Sequence, residues 1–116
     1  MSLRKIVLYV YGPYSGDMSR NIDKARRTAI EAWEAGFTVI CPHLNTSHFE
    51  EDCKIEYNDY IQGDLEIIRR CDGLLASTSR DRMVTSAGAM QEEGLAKADG
   101  IPVFQNLQEV LSYEWH

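Results

Sequence analysis

The chain has 116 residues, 44% of them hydrophobic and 26% charged, which describes one globular domain spanning residues 1–116 and excludes a disordered segment. A net charge of −6 excludes a general binder of nucleic-acid backbone, which needs a basic stripe, but not a small ligand held at one helix terminus. Three irregularly spaced cysteines (Cys41, Cys53, Cys71) exclude a disulfide framework and point to a reducing cytoplasm, and the apolar run Ile6 to Tyr11 is too short to span a membrane.

The run Ile6 to Tyr11, ending at Gly12-Pro13, predicts a central strand. Ser19 to Ala35 predicts a helix capped by Ser19, with Ile22, Ala25, Ala29, Ala32 and Trp33 as its apolar stripe and Gly36 just beyond its end. Phe37 to Cys41 predicts a second strand stopped by Pro42, and His43 to Asp52 a polar loop. A helix follows over about Ile55 to Arg70, with Ile61, Leu65 and Ile68 on one side. Leu74 to Ala76 is a third strand entered through Cys71-Asp72-Gly73. Ser79 to Thr85 reads as a loop, and a helix then opens at Ser86. Ile101 to Phe104 is a fourth strand and Leu107 to Tyr113 a last helix. Strands alternating with helices predict a small three-layer α/β sandwich: a parallel sheet of four to five strands with helices on both faces, flavodoxin-like or Rossmann-like. Ligands of such sheets sit beyond the carboxyl ends of the strands, at Gly12 to Asp17, Pro42 to His48, Ser77 to Ser86 and the start of the following helix.

The most informative segment is Thr85-Ser86-Ala87-Gly88-Ala89-Met90-Gln91-Glu92-Glu93-Gly94-Leu95-Ala96. At 100° per residue, Gly88, Ala89, Glu92, Leu95 and Ala96 share a face, while Met90, Glu93 and Lys97 read as the opposite, solvent side with Glu93–Lys97 as an i,i+4 ion pair. Glu92 is then a carboxylate among small residues on the inward face, where something can approach it. Ser86 reads as the helix N-cap, compatible with facing a phosphate. Gly12-Pro13-Tyr14-Ser15-Gly16 matches neither phosphate-loop fingerprint and on its own reads as a tight turn. Asp64 is either an exposed helix aspartate or a site residue on an apolar face; Asp72 reads as a turn residue. Cys41, His43, His48 and Cys53 match no zinc spacing, so no metal or other cofactor is expected, and His43, Asn45 and His48 read as hydrogen-bonding groups of a pocket wall.

Together Tyr9-Val10-Tyr11-Gly12-Pro13, Gly63-Asp64-Leu65, Asp72, Ser86-x-Gly88-Ala89-x-x-Glu92-x-Gly94-x-Ala96 and Gly100-Ile101-Pro102-Val103 resemble the nucleoside 2-deoxyribosyltransferase superfamily, from Ile6 to about Phe104. The resemblance implies cleavage of an N-glycosidic bond in a nucleoside or nucleoside 5′-monophosphate, by hydrolysis or base exchange. Glu92 would act at the anomeric carbon, Tyr9 would position it, and Asp64 would serve base recognition or leaving-group protonation. Gly12, Tyr14, Ser15, Gly16, His43, Asn45, His48, Ser86 and Gly88 would bind substrate. The transferases carry an aspartate where this chain has Ser86; the monophosphate N-hydrolases carry serine there, against the 5′-phosphate. Their phosphate loop usually has an arginine, and Gly12 to Asp17 has none, leaving Arg20, Arg80 or Arg82 as substitutes. The resemblance also implies a homo-oligomer, to which Trp33, Tyr113 and Trp115 could contribute, although Trp33 reads more simply as core. A non-catalytic nucleotide-binding or sensor module is the alternative. A phosphorelay receiver is excluded, because Tyr11-Gly12-Pro13 follows the first strand and Ala76-Ser77 ends the third.

Overall fold

The computed structural model describes residues 5–52 and 54–115. Strand β1 (Val7–Tyr11) lies at the centre of a four-stranded sheet with β2 (Thr38–Ile40), β3 (Gly73–Ala76) and β4 (Val103–Phe104), in the order β2-β1-β3-β4. Every pairing is parallel; Tyr9 sits between Ile40 and Leu74, and Tyr11 opposite Ala76. A central strand covered on both faces needs an apolar side chain at every position, and residues 8–11 are all fully buried.

The two-residue alternation of β1 feeds two cores. Leu8 and Val10 pack with Ala25, Ala29 and Ala32 of α1 (Met18–Glu34) and Val110 of α6 (Leu107–Ser112). Tyr9 and Tyr11 face the other way, into a core that takes in Ile68 of α3 (Tyr57–Ile68) and Ala89 and Ala96 of α5 (Ala87–Ala98). The three-layer α/β architecture expected from the sequence is present, with four strands among the described residues.

Several local expectations need correction. Asp17, not Ser19, caps α1, its Oδ1 accepting from the Arg20 amide at 3.2 Å. Trp33 is 53% exposed rather than core, because the alanine stripe facing the sheet is narrow and Trp33 stands on its flank. Trp115 is half-buried and packs at tilted ring angles among Phe37, Phe104 and Tyr113 against the first core. Pro42 opens a single turn, α2 (Pro42–Asn45), consistent with proline's place at a helix start, and the expected loop after β3 holds another, α4 (Arg80–Met83). Asp72 does more than turn the chain: its Oδ2 accepts from the Val7 amide at 2.8 Å, tying the entry of β3 to the start of β1.

The chain steps from β1 outward to β2 and then back across to β3, so the strand order reverses between β1 and β3, and a crevice opens beyond their carboxyl ends. Gly12 lies at the mouth of this crevice, where a Cβ would meet Ser77 Oγ at 1.9 Å and Ser77 Cβ at 3.2 Å, so a larger residue would force the Ser77 side chain to move.

Candidate active site

The crevice is a cavity of about 670 Å³. Its walls are the β1–α1 loop (Gly12 to Gly16), Pro42 and His43 of α2, one face of α3, and the first two turns of α5.

Glu92 stands on the second turn of α5, 6% exposed, and lines this cavity. Tyr9, fully buried on β1, donates its hydroxyl hydrogen to Glu92 Oε2. Burial pushes the Glu92 carboxyl up to about 8; the Tyr9 hydrogen bond pulls against that shift, and the nearby Asp64 charge adds to it. Burial, followed by the Glu92 charge, drives the Tyr9 phenol far above its ordinary range, so it remains a donor. Asp64, half-buried on α3, also lines the cavity, and burial raises it to about 6. Two acids with raised protonation share one concave site, an arrangement enriched at functional centres.

Ser86 caps α5: its Oγ accepts from the Ala89 amide at 3.1 Å, while Ser86, Ala87 and Gly88 border the cavity. His43 is buried, its Nε2 2.8 Å from the Pro13 carbonyl and its ring edge-on to Tyr14 at 5.4 Å. Burial lowers its pKa, so the ring is neutral near pH 7, and a proton on Nε2 makes it the donor to Pro13. Asn21 donates from Nδ2 to the Tyr14 and Ser15 carbonyls at 3.2 and 2.9 Å, and the His48 amide donates to the Tyr14 hydroxyl at 2.9 Å. The β1–α1 loop is thereby pinned from α1, α2 and the segment after it.

Of the residues singled out from the sequence, Glu92, Asp64, Gly12, Tyr14, Ser15, Gly16, His43, Ser86 and Gly88 border one cavity, with Tyr9 beneath it. Asn45 and His48 do not. Asn45 is exposed at the end of α2, and His48, held at φ 64°, is exposed with Nδ1 3.4 Å from Glu51. Neither side chain is part of the cavity wall; after His43 it is Thr46, not Asn45 or His48, that lines it. Cys53 lies outside the described residues. Among the described residues, no cluster of His, Cys, Asp and Glu suits a metal ion.

Arg20, Arg80 and Arg82 do not replace the missing loop arginine: none borders the cavity, and no Lys or Arg is among its described lining residues. Arg80 is engaged elsewhere, and this overturns the solvent-face reading of Glu93. Glu93 is only 5% exposed and accepts from Tyr11 at 2.8 Å, from both ends of the Arg80 guanidinium (Nη2 to Oε2, 2.8 Å) and from Lys97 at 3.3 Å. The buried arc of α5 runs through Ala89, Glu92, Glu93 and Ala96, so the helix is turned further toward Glu93 than its small residues suggest. Arg80, foremost, together with Tyr11 and Lys97 outweighs burial and holds the Glu93 carboxyl down to about 2. Tyr57 and Tyr60 also line the cavity. Their signal was present: 57, 60, 61 and 64 follow the i, i+3, i+4, i+7 spacing of one helix face.

A family model described as "Domain of unknown function (DUF7768)" matches residues 6–106. No curated protein matches the chain in sequence. Among solved structures, the 2-deoxyribosyltransferase of the psychrotolerant bacterium Bacillus psychrosaccharolyticus is similar with a TM-score of 0.59 at 18% identity, over 94% of this chain and 93% of that one. A conserved protein of Enterococcus faecalis V583 is similar with a TM-score of 0.64 at 20% identity, over 86% of this chain and 62% of that one. At these identities the likeness is one of fold. Among the described residues no helix is long and apolar enough to cross a membrane.

Proposed function

The chain belongs to the family described as a domain of unknown function (DUF7768), and from the geometry of its cavity we propose that it cleaves the N-glycosidic bond of a nucleoside or nucleoside 5′-monophosphate, with Glu92 as the carboxylate at the anomeric carbon. The observation that carries this reading is Glu92 itself. It is buried at a cavity wall, oriented by a phenol that can only donate to it, and faces a second carboxyl, Asp64, rather than a cation. A carboxylate held this way is poor at neutral pH as a structural ion pair and well suited to meet positive charge as it develops. The fold shared with a 2-deoxyribosyltransferase supports the same reading.

As the C1′–N bond breaks, its electron pair stays with the base nitrogen and the sugar becomes oxocarbenium-like. The ionised fraction of Glu92, a minority near neutrality that grows as pH rises toward 8, stabilises that charge or closes an ester bond to C1′. Asp64, whose raised pKa keeps part of it protonated near neutrality, donates a proton or hydrogen bond to the departing base. Water then attacks C1′, displacing the Glu92 ester oxygen and returning a proton to solvent or to Asp64; a second base nitrogen in its place gives transfer. A 5′-phosphate would meet Ser86 and the first-turn amides of α5, and neither Lys nor Arg among the described lining residues. The unphosphorylated nucleoside is therefore the first substrate to test.

The test is release of free base from each ribo- and deoxyribonucleoside and its 5′-monophosphate, with and without a second base, read by chromatography against Glu92→Gln. Release that vanishes in the variant supports the assignment. Wild-type release that persists in Glu92→Gln removes Glu92 from the chemistry. Binding seen by thermal shift with no release from any substrate favours a nucleotide-binding module.

A further inference from the structure

Glu93 is a second buried carboxylate beside the proposed reacting one, and the chemistry above does not use it. It is not at the cavity: its partners are Tyr11 on β1, Arg80 on α4 and Lys97 on its own helix. The Gln105 amide, after β4, also bonds the Tyr11 hydroxyl, so the network reaches across the carboxyl end of the sheet.

Its geometry parallels that of Glu92. Tyr9 and Tyr11 lie two residues apart on one face of β1, roughly 7 Å along the strand. Each donates a hydrogen bond to one of two successive glutamates on α5, which project about 100° apart around the helix axis. One such bond would allow α5 to roll over the sheet. Two, at different azimuths, fix the roll. The fully buried apolar residues of α5 are only Ala89 and Ala96, and its larger side chains, Met90 and Leu95, are half-buried against the same core, so the two tyrosine bonds share with them the setting of the roll. A tyrosine bond to a mobile carboxylate would also be a weak pin. The two-point Arg80 fork makes it a firm one and leaves Glu93 ionised.

We propose that Tyr11, Glu93 and Arg80 form a positioning device that sets the rotation of α5 and so aims Glu92 into the cavity, with Arg80 shielding Glu92 from the charge of its neighbour. The proposal rests on Glu92 being the reacting carboxylate. The groups that face Glu92 are Tyr9 from β1, Asp64 from α3 and Cys41 beyond β2; those that face Glu93 are Tyr11, Arg80 and Lys97. Of these, Arg80 and Lys97 carry positive charge.

Arg80→Met, Arg80→Lys and Tyr11→Phe test it, with kcat and KM for base release and, independently of turnover, ¹³C NMR titration of the Glu92 side-chain carboxyl. Arg80→Met is expected to lower kcat roughly 10- to 100-fold, the scale of a small misalignment, with KM within about twofold. The same variant should raise the Glu92 titration midpoint, by up to about one pH unit, because only Lys97 is left to offset the Glu93 charge. Arg80→Lys, which restores charge without the fork, should return the midpoint and only part of kcat. Tyr11→Phe keeps volume and charge and should lower kcat while leaving the midpoint nearly in place. If Arg80→Met does not unfold cooperatively, the Arg80→Lys and Tyr11→Phe results decide. An unchanged kcat in Tyr11→Phe and Arg80→Lys, or a loss confined to KM, overturns the proposal. Should Glu92→Gln remain active, the proposed function fails separately, and the Glu92 titration still decides whether Arg80 governs that carboxyl.

Discussion

Glu92 and Glu93 are consecutive residues on one helix, both buried, and each takes a hydrogen bond from a tyrosine of the same strand. Their protons nevertheless behave in opposite ways: burial lifts Glu92 to about 8, while Arg80 first of all brings Glu93 to about 2. Burial is common to both, and so is the phenol. The cations differ. Glu93 has Arg80 and Lys97; Glu92 has Asp64. A carboxylate saturated with counterions is spent on holding the fold, whereas one denied them is ready for a positive charge that arrives only during a reaction. The neighbouring placement makes the contrast testable, since the same substitution one residue apart should give opposite results.

The sharpest break is the pair Glu92→Gln and Glu93→Gln. The first should lower base release by about 10³-fold or more, because the amide keeps the shape and loses the charge that meets the oxocarbenium. The second keeps the reacting group and should lose far less, within about 100-fold. Steady-state kinetics on both decide it; equal losses would erase the distinction.

Asp64→Asn comes next, at about 100-fold in kcat/KM, within the usual range for a general acid. Its signature lies in the pH profile. The two carboxyls titrate as a coupled pair with values of about 6 and 8. Chemistry that needs Glu92 ionised and Asp64 protonated gives a bell-shaped kcat/KM with limbs near those values. Removing Asp64 removes the alkaline limb, so the residual activity should rise with pH and level off. A bell that persists in the variant would remove Asp64 from proton transfer.

Tyr9→Phe should have a smaller effect, roughly tenfold near neutral pH. Without the donor, the buried carboxyl binds its proton more tightly, so the activity governed by Glu92 ionisation should move to higher pH and recover there. A loss equal at all pH values would mean that Tyr9 sets only geometry.

How much of this was legible beforehand follows the range of each interaction. The strand order is a consequence of short connections and apolar runs, and the alternation in Val7 to Tyr11 already separates two cores. Glu92 was visible because a carboxylate among Gly88, Ala89 and Ala96 contradicts its surroundings. The environment of Glu93 is hidden from the sequence for a physical reason. Its i,i+4 partner Lys97 is local and present, but Tyr11 and Arg80 come from other elements, and no helical wheel contains them. The same limit applies to Asn45 and His48, whose polar character fits a pocket, whereas in the short turn Pro42–Asn45 and the segment after it only Pro42, His43 and Thr46 face the cavity. Short helices of this kind leave little periodic signal.

The smallest expected effect concerns stability, and it separates the two glutamates most cleanly. In the unfolded chain both titrate near 4.5. In the fold Glu93 keeps its charge down to about 2, so its contribution is complete above pH 4.5 and drains away as pH falls toward 2. Glu93→Gln should therefore destabilise the protein at pH 7 by roughly 1–2 kcal/mol, the lower part of the range for charged hydrogen bonds, because the half-exposed Arg80 regains water. By pH 2 the difference should have largely gone. For Glu92 the order is reversed. The fold holds its proton up to about 8, so what the protonated group contributes is complete below pH 4.5 and is lost as pH rises through 8. Glu92→Gln, which cannot ionise, should match the wild type near pH 4 and become progressively more stable than it up to about pH 8, by a few degrees in Tm. Thermal melts of the three proteins across pH 2 to 9 supply the check. A Glu92→Gln variant less stable than wild type throughout would mean that Glu92, like its neighbour, is a structural ion, and that its burial costs the fold nothing that a reaction has to explain.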